Sequence, residues 1–366
     1  MVRNGVALIA GIVGLSFTPL ALAVTQSFVT PGAHSFTVPA GVTSIQVEVA
    51  GAGGGAGSGV TVPNEFGVPL SLVGVYTGGS GGAGARVSAT IAVAPGDVIN
   101  LTVADSGKGG TLHTATAPAG TGAGGAGSGS GGSTANADDP ADDSASLTGG
   151  GGGGASALSV SGTFIRAGGG GGGGGAHRNQ STFSSAESGA PGMSPAVSTA
   201  DCALPGDGLP GTASPYVISS GIYHRTGSGG GGGGGYASQV GAGGLTPGLI
   251  FGGPFPVVEF APEGGGGGGS CVFVGGAKAL SNLSTDILGG AGGIADPAPI
   301  SVWDATPGNE PAPIDGSAGW IRINVPDAPV LSAPKAVPSL GIASLLTLSS
   351  LLLTIGAFRR RKSQPD

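Results

Sequence analysis

The sequence predicts a mainly β fold in which strands alternate with rigid glycine segments. Uninterrupted runs of glycine occur at 149–154, 168–175, 229–235 and 264–269. Short apolar segments with the alternation typical of strands border these runs. Charged residues make up only 9% of the chain, unlike disordered polyelectrolytes. A scaffold held together by backbone hydrogen bonds fits this composition.

Glycine accounts for 82 of the 366 residues, well above the usual share of about 7%. Ordering eight glycines costs roughly 8–16 kcal/mol, at roughly 1–2 kcal/mol per residue. The runs are therefore either flexible linkers or extended polyglycine II helices that bond to one another. Their similar lengths and strand-like neighbours favour the helices, and the longest would span roughly 25 Å. The tract 120–133, which is diluted with serine and threonine, instead predicts a mobile linker.

The clearest strands are residues 43–50 and 319–325. Residues 43–50 place Ile45, Val47 and Val49 on one face. Residues 86–93 and 98–103 predict a strand pair joined by a short hairpin at Pro95-Gly96. Further strand-like segments are 35–39, 155–167 and 270–274.

The N-terminus predicts a secretory signal peptide over residues 1–23. Arg3 precedes an apolar stretch that ends Ala21-Leu22-Ala23, the small-x-small pattern of a cleavage site. We expect cleavage after Ala23, so that the mature chain begins at Val24. An uncleaved membrane anchor is the alternative interpretation.

The C-terminus predicts a membrane anchor over residues 339–366, preceded by a Pro/Ala-rich spacer at 326–338. Residues 340–358 carry no charge, and as a helix they would be about 28 Å long, enough to span a bilayer core of about 30 Å. A basic tail would remain cytoplasmic, so the domain at 24–325 would face outward. The tail comprises Arg359, Arg360, Arg361 and Lys362.

The charge balance argues against a nucleic-acid partner. Arg3 and the C-terminal tail hold five of the 13 basic residues and one of the 20 acidic residues. The remaining chain has 8 basic and 19 acidic residues, a net charge of −11. Proteins that bind nucleic acid through phosphate contacts need the opposite sign.

Cys202 and Cys271 are the only cysteines of a chain that is expected to be exported. An oxidising compartment favours a disulfide between them. Such a bond would close a loop of about 70 residues, stabilise the fold by a few kcal/mol and tie the region 183–225 to the glycine core. Two separate thiols are the alternative.

An acidic cluster is the one candidate cation site. Asp138, Asp139, Asp142 and Asp143 lie within six residues, and calcium prefers oxygen-rich loops. The cluster lacks the central glycine and the later glutamate of an EF-hand loop. A solvated acidic loop is the favoured interpretation, and no other cofactor is indicated.

No catalytic motif is present in the sequence. The four histidines occur singly, and there is no Gly-x-Ser-x-Gly elbow or metal-binding His-x-x-x-His pair. The many Gly-x-Gly-x-x-Gly matches follow from composition alone. The sequence therefore predicts a protein that is not an enzyme. Tyr76, Tyr216, Tyr223, Tyr236 and Trp303 are candidate contact residues, with core packing the favoured role for most; Trp320 is expected in the core.

The order of these elements resembles a known family. Residues 36–49, read Phe-Thr-Val-Pro-Ala-Gly-Val-Thr-Ser-Ile-Gln-Val-Glu-Val, are followed at once by glycine. The turn Pro95-Gly96-Asp97, the transition Phe-Ile-Arg-Ala-(Gly)8 at 164–175 and the closing 319–325 continue the match. This pattern resembles glycine-rich surface proteins of bacteria and is similar to the glycine-rich domain of the anaplastic lymphoma kinase receptor family.

The resemblance spans roughly residues 27–325. It implies a jelly-roll-like antiparallel β-sandwich with a bundle of polyglycine II helices inserted between strands. Long inserts at 117–147 and 183–225 depart from the family pattern. No residue-level motif for receptor ligand binding is present, so that activity is not implied.

The C-terminus resembles a second known pattern. Val337, Pro338, Ser339 and Leu340 precede the apolar helix and the arginine cluster. This order is similar to the tripartite sorting signals read by exosortase-type transpeptidases of Gram-negative bacteria, in the variety that begins Ile-Pro-Thr-Leu. The resemblance implies sorting to the cell surface or extracellular matrix and a mature chain that ends near Pro338.

These observations predict a non-catalytic structural or adhesive protein of the bacterial surface. The main alternative is a binding module for a glycan or another surface component, using the insert 183–225. A minor alternative is ice binding by flat glycine-helix faces. The expected partners are the membrane, an exosortase-type transpeptidase and a surface polysaccharide.

Overall fold

The computed structural model describes most of the region between residues 24 and 326, which lies within one compact unit, Ala23–Pro326. No helix of the described residues is long and apolar enough to cross a membrane. The predicted cleavage site, acidic cluster, sorting motif and basic tail lie outside these residues. The described residues are 24–62, 74–110, 112–113, 122–134, 146–175, 177–179, 182–212, 217–219, 222–224, 228–245, 250–252, 255–257, 263–275, 278–294 and 314–326.

The secondary structure is almost entirely β, with one 3₁₀ turn at Ala200–Ala203 as the only helix among the described residues. The strands are β1 (Val24–Phe28), β2 (Gly32–Thr37), β3 (Ser44–Ala50), β4 (Val60–Val62), β5 (Gly74–Tyr76), β6 (Arg86–Ala92), β7 (Val98–Val103), β8 (Leu112–His113), β9 (Ser146–Leu147), β10 (Ser156–Val160), β11 (Thr163–Ala167), β12 (His177–Asn179), β13 (Thr182–Ser184), β14 (Met193–Ser198), β15 (Pro205–Gly206), β16 (Val217–Ser219), β17 (Ile222–His224), β18 (Gly235–Tyr236), β19 (Ile250–Gly252), β20 (Phe255–Val257), β21 (Gly269–Val274), β22 (Leu280–Asp286) and β23 (Trp320–Val325).

Two sheets form the frame of the molecule. The first has five strands in the order β1-β23-β3-β6-β22, all antiparallel. The second has the order β14-β21-β11-β10-β7-β2, antiparallel except for its edge strand β14, which runs parallel to β21. The remaining strands form short two-stranded pairs.

The apolar core lies between these two sheets, as expected for a β-sandwich. The predicted alternation of β3 is confirmed: Ile45, Val47 and Val49 are buried. Residues of β23 and of the second sheet are buried with them because apolar side chains alternate along these strands. They are Ile321, Ile323, Ile99, Leu101, Leu158 and Ile165.

The predicted hairpin between residues 86–93 and 98–103 is wrong. Strand β6 pairs with β3 and β22 in the first sheet, whereas β7 pairs with β10 and β2 in the second. The turn at Pro95-Gly96 therefore carries the chain from one sheet to the other. The side chain of Asp97 accepts a hydrogen bond from the Ala94 amide at 2.7 Å, and Gly96 has φ +84°. The short turn has the same local chemistry in either arrangement, so the sequence did not distinguish them.

Nine of the eleven strands of the two sheets adjoin glycine segments at the same end of the sandwich, whereas β1 and β2 are joined to each other by residues 29–31. Ala50 at the end of β3 pairs with Trp320 at the start of β23, and both adjoin glycine. At the other end of the sheets, Val24 pairs with Val325. The start of β1 and the exit of the chain from β23 therefore lie together, at the end of the sandwich remote from the glycine.

Candidate functional site

The glycine-rich stretches form a bundle of extended segments that hydrogen-bond to one another. Four segments are central and ten surround them. The central segments are 51–58, 149–155, 168–175 and 228–236. The outer segments, in order around the bundle, are 289–294, 314–319, 105–110, 122–127, 128–134, 206–212, 241–245, 263–269, 187–193 and 78–85.

The segment 168–175 shows how a central segment is held. Its amides donate to three neighbours in rotation: Gly169, Gly172 and Gly175 bond to the segment 228–236 at 2.7–3.0 Å. Gly170 and Gly173 donate to 51–58, and Gly171 and Gly174 donate to 187–193. The direction of donation therefore repeats every third residue, which is the repeat of a threefold extended helix.

The carbonyl groups of the same segment face three other neighbours. They accept amide hydrogen bonds from segments 78–85, 149–155 and 263–269. Every amide of residues 169–175 and every carbonyl of 168–174 is thus bonded to another segment. The other three central segments likewise donate to three neighbours and accept from three more. Backbone groups that would be costly to bury unpaired are satisfied without any side chain.

The ten outer segments close a ring around the four central ones. Each outer segment bonds to the next one around the bundle, and the last, 78–85, accepts from the Gly289 amide of the first. In hexagonal packing of parallel rods, four rods arranged as a rhombus are surrounded by ten others. The four central and ten outer segments of the bundle have this arrangement. The bundle is therefore a filled lattice of backbone rather than a shell around a cavity.

Strand order in the sheets is preserved in the bundle. In the first sheet, four adjacent strands each continue into one bundle segment, and these four segments are adjacent in the same order. The strands β22, β6, β3 and β23 adjoin 289–294, 78–85, 51–58 and 314–319 respectively. The neighbours β14, β21, β11, β10 and β7 adjoin 187–193, 263–269, 168–175, 149–155 and 105–110. The sandwich thus sets the starting arrangement of the lattice.

Close approach of the segments requires glycine in the interior. A Cβ atom at Gly171 would overlap the carbonyl oxygen of Gly265, and one at Gly172 would overlap that of Gly150. These obstacles are backbone atoms of neighbouring segments, so no side-chain rotation could relieve them. Glycine is needed here for proximity and not for an unusual φ angle.

Side-chain oxygens take the place of a missing neighbour where the lattice ends. The hydroxyls of Ser228 and Ser270, both buried, accept from the first amides of two central segments, Gly149 at 2.8 Å and Gly168 at 3.1 Å. On the outer segments, Asp207 accepts from the Ser130 amide at 2.7 Å, and Asp315 accepts from Gly109 at 2.9 Å. Polar residues in the glycine-rich sequence thus mark edges of the bundle.

The tract 120–133 is not a mobile linker, contrary to the sequence prediction. Its described part forms two outer segments, 122–127 and 128–134. The Gly125 amide donates to Gly152 at 2.8 Å, and the Gly132 amide donates to Gly232 at 2.7 Å. Serine and threonine are accommodated because an outer segment is not surrounded by neighbouring segments on all sides. Polar residues within a glycine-rich tract therefore indicate an outer segment of the bundle rather than a disordered linker.

The insert 183–225 is likewise built into the lattice. Its residues 187–193 and 206–212 are outer segments, bonded to the central segments 168–175 and 228–236 respectively. The insert is therefore not a separable module. Its removal would take away two of the ten outer positions.

Cys202 and Cys271 form the disulfide that the sequence predicts. Cys202 lies in the 3₁₀ turn and Cys271 in β21, so the bond fastens the insert to the second sheet. Both cysteines are fully buried, together with Tyr236. Phe164 and Phe273 pack against this cluster.

Arg166 reinforces the same junction. It is 3% exposed and lies opposite Cys271 on β11. Nη1 donates to the carbonyl oxygen of Leu204, and Nη2 donates to Ser128 Oγ at 2.9 Å. Burial lowers the pKa of the guanidinium to about 10. Among the described residues Arg166 has no ion-pair partner, so it connects the sheet to the insert and to an outer segment through hydrogen bonds.

The far end of the bundle, which we call the distal end, is where the chain leaves and re-enters the lattice. Seven connections start and finish there: 59–77, 111–121, 135–148, 176–186, 213–227, 246–262 and 295–313. Four of them contain a two-stranded hairpin, formed by β4–β5, β12–β13, β16–β17 and β19–β20. The pair β8–β9 joins two further connections.

The predicted contact residues fall in different places. Tyr76 and Tyr223 belong to distal hairpins. Tyr236 is buried beside the disulfide, as expected for core packing. Trp320 is only half-buried, and the guanidinium of Arg322 lies 4.3 Å from its ring centroid, so its expected place in the core is wrong. Tyr216 and Trp303 lie outside the described residues.

The histidines do not come together in the described part of the chain. His34 Nε2 lies 2.7 Å from the Thr30 carbonyl oxygen on the sandwich, whereas His113, His177 and His224 belong to three different distal strand pairs. Within the described residues no group of three or more His, Cys, Asp or Glu side chains could hold a metal ion.

Ion pairs lie around the frame and at the bundle edge. Asp97 and Lys278 approach to 2.6 Å, and Arg86 and Asp286 to 2.5 Å. In both pairs the hydrogen bond to the cation lowers the carboxyl pKa below its ordinary value.

No family model matches this chain, and the search of curated proteins gives no match.

Proposed function

We propose that this protein is a non-catalytic structural and adhesive protein of the bacterial cell surface or extracellular matrix. In this function, the β-sandwich is the base and the glycine bundle is a stiff support. The bundle would hold the distal connections away from the point where the chain leaves the sandwich.

One observation carries the proposal: central segments have their amides and carbonyls bonded to six neighbouring segments. A lattice of this kind resists bending because no segment can move without breaking bonds to several others. Its central segments contain few side chains that could recognise a ligand. Stiffness is therefore the property that this bundle provides best.

Two finer features belong to the proposal. We infer that the segments are polyglycine II helices, supported by the three-residue repeat in their donation pattern. We also infer a jelly-roll-like topology, supported by the passage of the chain between the two sheets at residues 93–97.

The location of the protein outside the cell is part of the same proposal. Export through cleavage at Ala23 and attachment or sorting through residues 337–366 would place the domain outside the cell. The disulfide is consistent with an oxidising compartment. Because Val24 pairs with Val325, the spacer at 326–338 would leave from the end remote from the bundle.

Amide hydrogen exchange followed by mass spectrometry tests the stiffness of the bundle. Amides of 149–155, 168–175 and 228–236 are expected to exchange at least about 10³-fold more slowly than in an unfolded chain, because only global opening would expose them. Exchange of 168–175 at the unfolded rate in folded protein would overturn the proposal.

Surface labelling of cells tests the address. Deletion of 337–366 is expected to release the protein into the medium. Retention of the truncated protein on the cell surface would show that another element holds it there. Deletion of the insert 183–225 is not used to test adhesion, since it would also remove two outer segments of the bundle.

A further inference from the structure

Two pairs of outer segments lie on opposite sides of the bundle. Edge one comprises 289–294 and 314–319, and edge two comprises 206–212 and 241–245. Within the described residues, edge one bonds to no central segment other than 51–58, and edge two to none other than 228–236. These two central segments share no hydrogen bond there, so the two edges are opposite each other.

Large apolar residues of the outer ring are concentrated on these two edges. Each edge segment carries one of them: Ile294 and Ile314 on edge one, and Leu209 and Leu245 on edge two. The other six outer segments together contain only Met193. The placement of large apolar side chains thus follows position in the bundle.

Most of these side chains are exposed. Ile294 is 71% exposed, Leu245 56% and Leu209 52%. Leu288 and Leu204 extend edge one and edge two toward the sandwich and are 62% and 56% exposed. Burial of such side chains against a partner is favourable, and apolar residues grouped on a surface mark an interaction site.

We propose that edge one of one copy binds edge two of a second copy, so that copies associate side by side in open rows. This inference goes beyond the proposed function, which requires a stiff bundle but no contact between copies. An interface between two different surfaces on opposite sides of a molecule leaves one of each free, so it can repeat without closing.

The shapes of the edges favour contact between unlike edges. Edge one has large side chains toward its two ends, Leu288 and Ile294, and the exposed methyl group of Ala291 between them. On edge two, Leu209 lies halfway along 206–212. A copy displaced sideways would place Leu209 opposite Ala291, where there is room for it. Contact between two copies of edge one would instead place Ala291 opposite Ala291 and leave a gap, which closely packed interfaces avoid.

The backbone of edge one is also suited to a second copy. Among the described residues, the amides of Ala291 and Ile294 donate no hydrogen bond. They are three residues apart, which is the repeat of the segments in the bundle. A neighbouring copy would therefore continue the packing between segments that already holds the bundle together.

The edges carry little charge. Their charged residues are Asp315, which lies 3.3 Å from Lys108 Nζ, and Asp207, which accepts the Ser130 amide. Two molecules with a net charge of −11 repel each other least where their surfaces have few charges. These edges are therefore suitable places for two acidic copies to meet.

Sedimentation of the purified unit Ala23–Pro326, which contains both sheets and the bundle, tests the contact. The weight-average mass of the wild-type protein is expected to rise with concentration beyond that of a dimer. Ile294→Asp and Leu245→Asp are each expected to weaken association at least about tenfold, because a charge is costly to bury in an apolar contact. The control is Val98→Asp at the start of β7, a valine that is 52% exposed, and it is expected to associate like the wild type.

A mixture of the two edge variants identifies which edges meet. Ile294→Asp retains edge two and Leu245→Asp retains edge one. Equimolar mixing is therefore expected to give dimers and no longer rows. If like edges met instead, each variant would dimerise alone, and that result would overturn the inference.

Salt separates an apolar contact from an ionic one. Association of two acidic copies through apolar edges is expected to strengthen between about 0.15 M and about 1 M NaCl, because salt screens their repulsion. Weaker association at the higher salt concentration would contradict an apolar contact.

Further outcomes would overturn the inference. Loss of association in Val98→Asp would place the contact elsewhere. Monomeric protein that floats with phosphatidylglycerol vesicles would show that the edges bind lipid instead. If the wild type stays monomeric at every concentration while amide exchange of 168–175 remains slow, the association fails and the proposed structural role stands. The same exchange measurement on each variant verifies that the bundle is intact.

Discussion

The amide of Gly172 donates to the carbonyl oxygen of Gly231 at 2.7 Å, although the two residues are 59 positions apart in the chain. Neither residue has a side chain, so backbone geometry alone brings them together. Bonds of this kind, repeated around each central segment, replace the apolar core on which most domains depend. The molecule therefore has two kinds of interior, one of side chains between the sheets and one of backbone beyond them.

Alanine at the centre of the bundle is expected to be strongly destabilising. In Gly172→Ala the new methyl group would overlap the Gly150 carbonyl oxygen. We expect the free energy of unfolding to fall by more than about 3 kcal/mol, at or above the usual cost of overpacking. Denaturant unfolding measures this change. Ala190→Gly, at an exposed position on an outer segment, is the control and should change stability by less than about 1 kcal/mol. An unchanged midpoint in Gly172→Ala would contradict the close packing.

The buried serine at the start of a central segment is expected to matter more than an exposed one. In Ser228→Ala the Gly149 amide would lose its acceptor in a buried position. The expected loss is about 1–3 kcal/mol, the cost of a buried unsatisfied donor. Thermal unfolding of this variant beside Ser317→Ala, an exposed position, makes the comparison. Equal effects of the two substitutions would show that the serine hydroxyl does not cap the segment.

Removal of the disulfide is expected to destabilise the domain without unfolding the bundle at room temperature. Cys202 and Cys271 are 69 residues apart, for which chain entropy predicts a stabilisation of about 4 kcal/mol. Denaturant unfolding of Cys202→Ala/Cys271→Ala measures this difference. A reducing agent should lower the stability of the wild-type protein and leave the double variant unaffected. A response of the double variant to the reductant would mean that the disulfide is not the target.

The turn between the sheets is expected to lose stability in acid. Lys278 and the Ala94 amide hydrogen-bond the Asp97 carboxylate and lower its pKa below the ordinary value. Since the folded pKa is the lower one, the stabilisation is complete above about pH 4, the unfolded pKa, and is lost as the pH falls through the folded pKa. The free energy of unfolding of Asp97→Asn should therefore depend less on pH below about 4.

Lys278→Met provides the second arm of that experiment. Without the ammonium group the pKa of Asp97 should return toward its ordinary value, so this variant should also lose part of the pH dependence. The double variant should resemble Asp97→Asn alone. A wild-type pH profile in both single variants would show that the pair does not set acid stability.

Much of the frame could be predicted from local patterns, because strands show an alternation of apolar and polar residues. Alternation predicts strands at residues 43–50 and 319–325, and β3 and β23 occupy nearly the same positions. The partners of strands were harder to predict. The segments 86–93 and 98–103 looked like a hairpin but belong to different sheets, since a short turn is compatible with both arrangements.

Bonding between glycine runs could be anticipated, because buried backbone groups need partners. Which runs become neighbours could not be predicted, since glycine carries no side-chain pattern that specifies register. The order of the flanking strands supplies that information instead. For the same reason the serine residues at 128, 130 and 133 wrongly predict a linker, because only the contacts between segments show that they lie on the edge of the bundle.

The pairing of Val24 with Val325 has a mechanical consequence. If the tail is anchored and the distal end is attached, tension enters β23 at Val325 and runs along the strand toward the bundle. Hydrogen bonds to β1 and β3 lie across that direction, so they are loaded together in shear rather than one after another. A pull that would unzip an edge hairpin is thus spread over both flanking strands before the sandwich yields.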